Sequence, residues 1–454
     1  MRAAICCVAS AIMAAGLIAV AQERPDAALL QEILQIPAID NHTHVPRVDL
    51  PGEKDDEFDA LPCDPLEPSA ANFLLRPENP VYVAAWKALW AYAYNDNAPE
   101  HVKEVVAARE KKQKELGEKY PAWVLDQLHT QIMLANRIAM GRGLEAPRFR
   151  WVPYDDALMY PLNNALMETT PDRKFFYGRE EMLLKRYLKD LGLSEVPRTL
   201  DEYLKKVVTP TLERQKKGGA IAIKFEAAYL RSLDFELAGK AEATYIYGNS
   251  FRSQGIDVTE KHPIPYGGLP DPAGYTKLQD YLFRYIAREA GRLGMAVHLH
   301  TGAGCGGYFK LSGANPVQME SLLDDPLFRK TNFVLVHGGP PYTHETAFLL
   351  GKPNVYADFS EQTFLLSPRA LAANLRDWLE WFPEKVLFGT DLYPNTPQIG
   401  WEEIGWQAND AGRRALALAL TGMMNDGEIS RAQALEMARM ALHDNAAKLY
   451  GFGN

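Results

Sequence analysis

The chain has 454 residues, a formal charge of −9 and 24% charged residues, enough for one large domain or two. It shows no basic stripe and no alternation of basic with aromatic residues, which argues against nucleic acid as a partner. Its 4 cysteines are too few for a disulfide-built scaffold.

Met1 and Arg2 precede an apolar run from Ala3 to Val20, closed by Ala19-Val20-Ala21 before Gln22-Glu23-Arg24. A basic start, a short apolar stretch and an A-x-A site read as a secretory signal peptide over residues 1–21. An uncleaved anchor is the rival reading, because the run is nearly long enough to span. The small residues and the A-V-A site favour cleavage. The expectation is export, to a periplasm or the medium, with no membrane contact after cleavage. Cys6 and Cys7 leave with the signal, while Cys63 and Cys305 remain and are free to pair or to stay as thiols.

Eight short apolar runs read as buried parallel strands: 37–44, 131–135, 149–154, 220–225, 295–300, 332–337, 355–359 and 385–389. Helical patterns follow the later ones, at Gly274 to Leu293, Pro316 to Phe328, Thr343 to Leu350 and Pro368 to Trp381. Strand–helix alternation predicts a parallel α/β architecture. A (β/α)8 TIM barrel needs about 250 residues, so the surplus lies in insertions. Two stretches supply it, about 45–128 after the first strand and 162–218 after the third. Loops of that length carry function or assembly. Trp86, Trp90, Tyr92 and Tyr94 in the first insertion read as core or interface, and make a homodimer a reasonable expectation. Helices Gly412 to Met424 and Glu428 to Tyr450 read as capping structure.

The chemistry sits at strand ends. His42 and His44, two residues apart on the first strand, point to one face and can grip one metal ion. His300, His337 and Asp391 lie at or just past the ends of later strands, where a parallel barrel gathers its catalytic groups. His298 faces the same side as His300 but lies deeper, so His300 is the preferred ligand. Imidazole and carboxylate together suit Zn2+, with Mn2+ or Fe2+ as alternatives. No G-x-S-x-G elbow is present. A metal that activates water, with Asp391 moving the proton, explains hydrolysis without a Ser or Cys nucleophile. Arg137, Tyr154 and Arg231 lie at or after strand ends and are candidates to bind a substrate carboxylate or carbonyl, with an ordinary surface role open for each.

The motifs His42-x-His44, His300-Thr301-Gly302, His337-Gly338-Gly339 and Phe388-Gly389-Thr390-Asp391-Leu392-Tyr393-Pro394 resemble the amidohydrolase superfamily. They are most similar to its amidohydrolase-2 branch, which includes relatives of aminocarboxymuconate-semialdehyde decarboxylase. The likeness runs from residue 37 to about 451, where Asp444 to Gly451 resembles the family's closing helix. It implies a distorted (β/α)8 barrel with one or two metal ions, on which His42, His44, His300, His337 and Asp391 are ligands. Asp391 and His337 would also carry the catalysis. In binuclear members a carboxylated lysine on the fourth strand bridges two metals, and Lys224 matches it by order. A substrate-binding cation and a barrel ion pair with Glu226 stay open as alternatives. The segment Lys224 to Arg231 also resembles the amidohydrolase domain of some glutamine-synthetase-like fusions, which implies Tyr229 and Arg231 near the pocket. The expected function is an exported, metal-dependent hydrolase acting on an amide, ester or lactone of a small molecule. A metal-dependent, non-oxidative decarboxylase on the same scaffold is the alternative.

Overall fold

The computed structural model describes residues 24–67, 72–251 and 270–453. The signal-peptide reading at 1–21 therefore lies outside the described residues. Among those described, no helix is long and apolar enough to cross a membrane.

All eight strands form where the apolar runs lie. They are β1 (Ala38–Thr43), β2 (Thr130–Asn136), β3 (Phe149–Val152), β4 (Ala222–Phe225), β5 (Ala296–His300), β6 (Phe333–Val336), β7 (Val355–Asp358) and β8 (Val386–Leu387). Each pairs in parallel with the next within two sheets, β1-β2-β3 and β4-β5-β6-β7-β8. Backbone bonds join the two sheets on both sides. Ile221 N donates to Trp151 O at 3.1 Å and Lys224 N to Pro153 O at 2.7 Å, which links β3 to β4. Asn41 N donates to Phe388 O at 2.9 Å, Asp391 N to His42 O at 2.8 Å and His44 N to Leu392 O at 2.8 Å, which links β1 to the end of β8. The result is an α/β structure of the (β/α)8 TIM-barrel kind, with β1 and Asp391 brought side by side.

The strands are apolar on both faces because both faces are covered. Phe333, Val334, Leu335 and Val336 are all buried. The outer layer is amphipathic helix. Pro368–Trp381 buries Leu371, Ala372, Leu375, Trp378 and Leu379, while Ser367 accepts from Ala370 N and Pro368 opens the first turn. Gly338 has φ 61°, and a Cβ there would lie 2.0 Å from the Trp378 ring. Only glycine lets the turn after β6 press onto this helix.

Some helical readings need correction. Residues 316–328 break into Pro316–Met319, Glu320–Leu323 and Pro326–Phe328, since Pro326 disfavours helix at Asp325. The last expected helix is interrupted by a π-turn at Met440–Asp444. A helix at Lys240–Ser250, between β4 and β5, was not legible in the apolar pattern.

The region 45–128 contains helices Val81–Trp90, Pro99–Leu116 and Tyr120–Gln127. They dock on the helix Trp401–Asn425. Tyr82 OH donates to Gln407 Oε1 at 2.7 Å, Trp90 Nε1 donates to Glu403 Oε1 at 2.6 Å, and Arg109 Nη2 lies 2.8 Å from both Glu403 oxygens. Trp86 and Tyr92 are buried and the half-buried Trp90 and Tyr94 pack against the same cluster, so this aromatic group is core. Cys63 and Cys305 form a disulfide with Cα atoms 6.0 Å apart, tying this insertion to the loop after β5.

Candidate metal centre

His42 lies on β1 and His44 just past its end, so both side chains project to the same rim. Asp391 meets them from the turn after β8. Its backbone has φ 57°. That conformation is held from the neighbouring residue, since Thr390 N and Oγ1 donate to Asp40 at 2.9 and 2.6 Å. Asp391 Oδ1 stands 3.1 Å from His42 Nε2 and 3.3 Å from His44 Nε2. One ligand atom from each of the three residues lies within 4.8 Å of the others, and Asp391 Oδ1 is buried with no hydrogen-bond partner of good geometry among the described residues. Two imidazole nitrogens and an orphaned carboxylate oxygen are the donor set of a divalent cation site, so these residues fit the metal that the motifs imply.

The outer nitrogens of both rings are occupied. Asn136 Nδ2 is 2.6 Å from His42 Nδ1. Tyr154 OH is 3.0 Å from His44 Nδ1 and 3.3 Å from Asn136 O. If Tyr154 donates to that carbonyl, it accepts from Nδ1–H and leaves His44 Nε2 bare for a metal. Tyr154, expected to bind substrate, is therefore a fully buried partner of His44.

His300 and His337 form the adjoining pair. His337 has φ 67° and lies beyond β6. Its Nε2 is 3.2 Å from His300 Nδ1. His300 Nε2 lies 2.7 Å from Ala303 O, so it carries the proton and Nδ1 is bare. His337 Nδ1 is 2.8 Å from Ser360 Oγ, whose own hydrogen goes to Asp358 Oδ1. Nδ1 therefore carries the proton and Nε2 is bare. Two bare nitrogens thus face one another. The ring centroids of His42 and His337 are 5.0 Å apart, so the two groups form one site. Deeper in the barrel, His298 Nε2 lies 2.8 Å from Tyr450 OH and takes no part at the rim.

Burial holds His42, His300 and His337 well below the usual imidazole range, helped by the charge of Lys224. They are neutral and ready to ligate. Burial acts on His44 as well, but Asp59 and Asp391 outweigh it and raise it to about 9. Lys224 is fully buried, with Nζ 3.4 Å from His42 Nε2 and 4.0 Å from Glu226 Oε1. Glu226 is pushed well up by burial and by Asp59, with Lys224 opposing.

Two arginines need correction. Arg137 Nη1 and Nη2 bond Asp55 at 2.7 and 2.9 Å, and the same fork holds Val45 O and Ala139 O. Arg231 is spent on Asp280, Gln279 and the carbonyls of Ser232, Thr276 and Asp234. Both are structural ties, because each buried guanidinium is paired with its own carboxylate. Tyr229 does reach the site edge, with its ring 4.7 Å from His300 and 5.1 Å from Phe309.

Four residues of the site were not picked out in the sequence. Asp59 Oδ2 lies 3.6 Å from His44 Nδ1, and comes from a long insertion with no motif of its own. Asn136, Ser360 and Glu361 each sit at or just past a strand end. That position is the one signal the sequence carries for them.

Residues 252–452 match the protein-family model described as Amidohydrolase. Protein fluG of Emericella nidulans is 32% identical over 158 residues, which cover 34% of this chain and 17% of that protein. The match thus spans well under two thirds of that relative's length. Among solved structures, a protein of Lactobacillus casei described as a metal-dependent hydrolase aligns at TM-score 0.57 and 15% identity, over 93% of this chain and 97% of its own. Uronate isomerase of Thermotoga maritima aligns at TM-score 0.58 and 14% identity, over 93% and 96%. Glucuronate isomerase of Caulobacter crescentus aligns at TM-score 0.59 and 12% identity, over 94% of both. At such identities the likeness speaks of the fold, which agrees with the barrel read from the strands.

Proposed function

We propose, from the match of residues 252–452 to the amidohydrolase family model, that the protein is an exported metal-dependent hydrolase of small molecules bearing an amide, ester or lactone. The observation that carries this reading is the convergence of His42 Nε2, His44 Nε2 and the orphaned Asp391 Oδ1. These three would hold one ion, with Zn2+ the best match to two imidazoles and a carboxylate. His300 Nδ1 and His337 Nε2 would take part in a second position beside it, which Lys224 reaches if carboxylated. When bound, a divalent ion acidifies a coordinated water and polarises a carbonyl oxygen.

The side chains do the rest. The Asp391 carboxylate takes the proton of the attacking water and hands it to the leaving nitrogen or oxygen. Asn136 and Tyr154 keep the His42 and His44 rings in register. Tyr229 and Phe309 wall one side and limit bulk water. Hydrolysis is favoured over decarboxylation by the charge of the site. Carboxyl groups of Asp59, Glu226 and Asp391 crowd its rim, while Arg137 and Arg231 are tied to Asp55 and Asp280. A substrate carboxylate would meet these carboxyl groups, with Lys224 and His44 as the cationic side chains among the described residues.

The test has two parts. Elemental analysis of the protein from Gln22 onward, purified without chelators, is expected to give one to two equivalents of metal, and less in Lys224→Ala if that lysine bridges. Turnover of an amide, ester and lactone panel in 18O-labelled water is expected to place the label in the product acid. Asp391→Asn should slow it by about 100-fold or more. Release of CO2 without label would favour the decarboxylase. Absence of metal after reconstitution with Zn2+ or Mn2+ would overturn the reading.

A further inference from the structure

Glu361 follows the end of β7 by three residues, and β7 lies between β6, which precedes His337, and β8, which precedes Asp391. Its backbone has φ 56° and ψ −49°, and Gln362 N donates to Ser360 O across it. That is a γ-turn of the positive-φ kind, rare and strained for a residue with a Cβ. Glycine would adopt it at little cost. Such strain persists only where the surroundings impose it, and it gathers at ligand-binding positions. Here both flanks are clamped. Ser360 is held by Asp358 and by His337 Nδ1, and Gln362 donates to His337 O at 2.8 Å and accepts from Asn374 Nδ2 at 2.8 Å.

The clamped turn presents a carboxyl group that the protein leaves unsatisfied. Among the described residues, Glu361 Oε2 is buried and receives no hydrogen bond. Burial and the charge of Asp391 hold the group well above the usual carboxylate range, with Lys224 as the opposing cation. The Glu361 charge is felt at Tyr229, whose ring lies 4.7 Å from His300, and at Tyr393. Lys224 opposes Glu226 as well, so the carboxyl groups of Glu226 and Glu361 lean on the same lysine. A buried polar atom without a partner costs free energy, and a ligand that supplies the partner recovers it.

We infer that Glu361 is a substrate-binding residue and that its carboxylate receives a protonated amine of the substrate. The substrate class is then an amide, ester or lactone that carries an ammonium group near the bond to be cut. This rests on the metal-dependent hydrolase reading above. An ammonium offers three N–H donors and a positive charge to a carboxyl group that receives no hydrogen bond. A substrate carboxylate at the same place would meet like charge.

The test uses two metal-chelating probes that differ by one ammonium, glycine hydroxamate and acetohydroxamate. Their binding to the Zn2+-loaded protein is measured by calorimetry. Wild type is expected to prefer glycine hydroxamate by about tenfold, as one charge-assisted hydrogen bond allows. Glu361→Gln should abolish that preference, with metal content and acetohydroxamate affinity unchanged. Equal binding of the two probes by wild type overturns the inference without any variant, and so does a preference that survives in Glu361→Gln. Failure of both probes to bind the metal-loaded wild type would instead overturn the hydrolase reading on which the inference stands.

Discussion

Ser360 Oγ lies 2.8 Å from His337 Nδ1 and gives its own hydrogen to Asp358 Oδ1. The carboxylate cannot donate, so the direction of the whole relay is set: His337 Nδ1–H to Ser360, Ser360 to Asp358. Asp358 is itself fixed by Asn41 Nδ2 at 2.8 Å and by His337 N at 2.9 Å. The relay keeps Nε2 bare and aimed at His300. Removing it should weaken metal binding by about 10–100-fold, the usual cost of losing a partner behind a ligand. Competition with a chromophoric chelator on Ser360→Ala checks this, and Ser360→Thr should restore most of the affinity. An unchanged affinity in Ser360→Ala would show that His337 needs no such support.

The strands and the rim residues His42, His44, His300, His337 and Asp391 were legible because buried parallel strands are apolar on both faces, and a polar residue at their ends stands out. Lys224 was legible as a charge inside an apolar run, but whether it is carboxylated is a chemical state that no spacing encodes. The ties of Arg137 and Arg231 are not legible in the sequence for a physical reason. Their carboxylate partners, Asp55 and Asp280, lie 82 and 49 residues away, and only the fold brings them together. Glu361 was invisible because its significance lies in a backbone angle and an unpaired oxygen. The pairing of Cys63 with Cys305 was left open by the sequence and is decided by the meeting of two loops.

That disulfide closes a separation of 242 residues, and cross-links over long loops constrain the unfolded chain most. It also steadies the loop that supplies Ala303 O to His300. Reduction, or a Cys63→Ser/Cys305→Ser double variant, should lower unfolding free energy by about 2–4 kcal/mol. Urea denaturation with and without reductant measures the effect. Indifference of the wild-type protein to reductant would count against the bond.

Asp155 gives a pH prediction from a buried carboxyl outside the candidate ligand set. Burial pushes its carboxyl up to about 8, although Gln215 Nε2 donates to it at 2.8 Å. The folded state keeps this proton between about pH 4 and 8, while the unfolded chain has released it. The contribution of the neutral acid is therefore complete below pH 4 and lost as pH rises towards 8. Asp155→Asn has no proton to lose. Its stability relative to wild type should grow with pH across that window, with a slope of at most about 1.4 kcal/mol per pH unit. Denaturation of both metal-free proteins at pH 5, 6.5 and 8 checks the sign, and a difference that stays flat rules it out.

Glu361 supplies the last prediction, because strain and function pull in opposite directions there. Its φ of 56° costs a residue with a Cβ on the order of 1 kcal/mol, and its buried Oε2 adds the cost of an unmet hydrogen bond. Glu361→Gly removes both burdens, at the expense of a more flexible unfolded chain. The metal-free variant should melt a degree or two higher than wild type, in keeping with about 1 kcal/mol in a domain of this size. The same variant should lose the preference for an ammonium-bearing probe. A lower melting temperature would mean that the turn is not strained and that Glu361 is retained for stability.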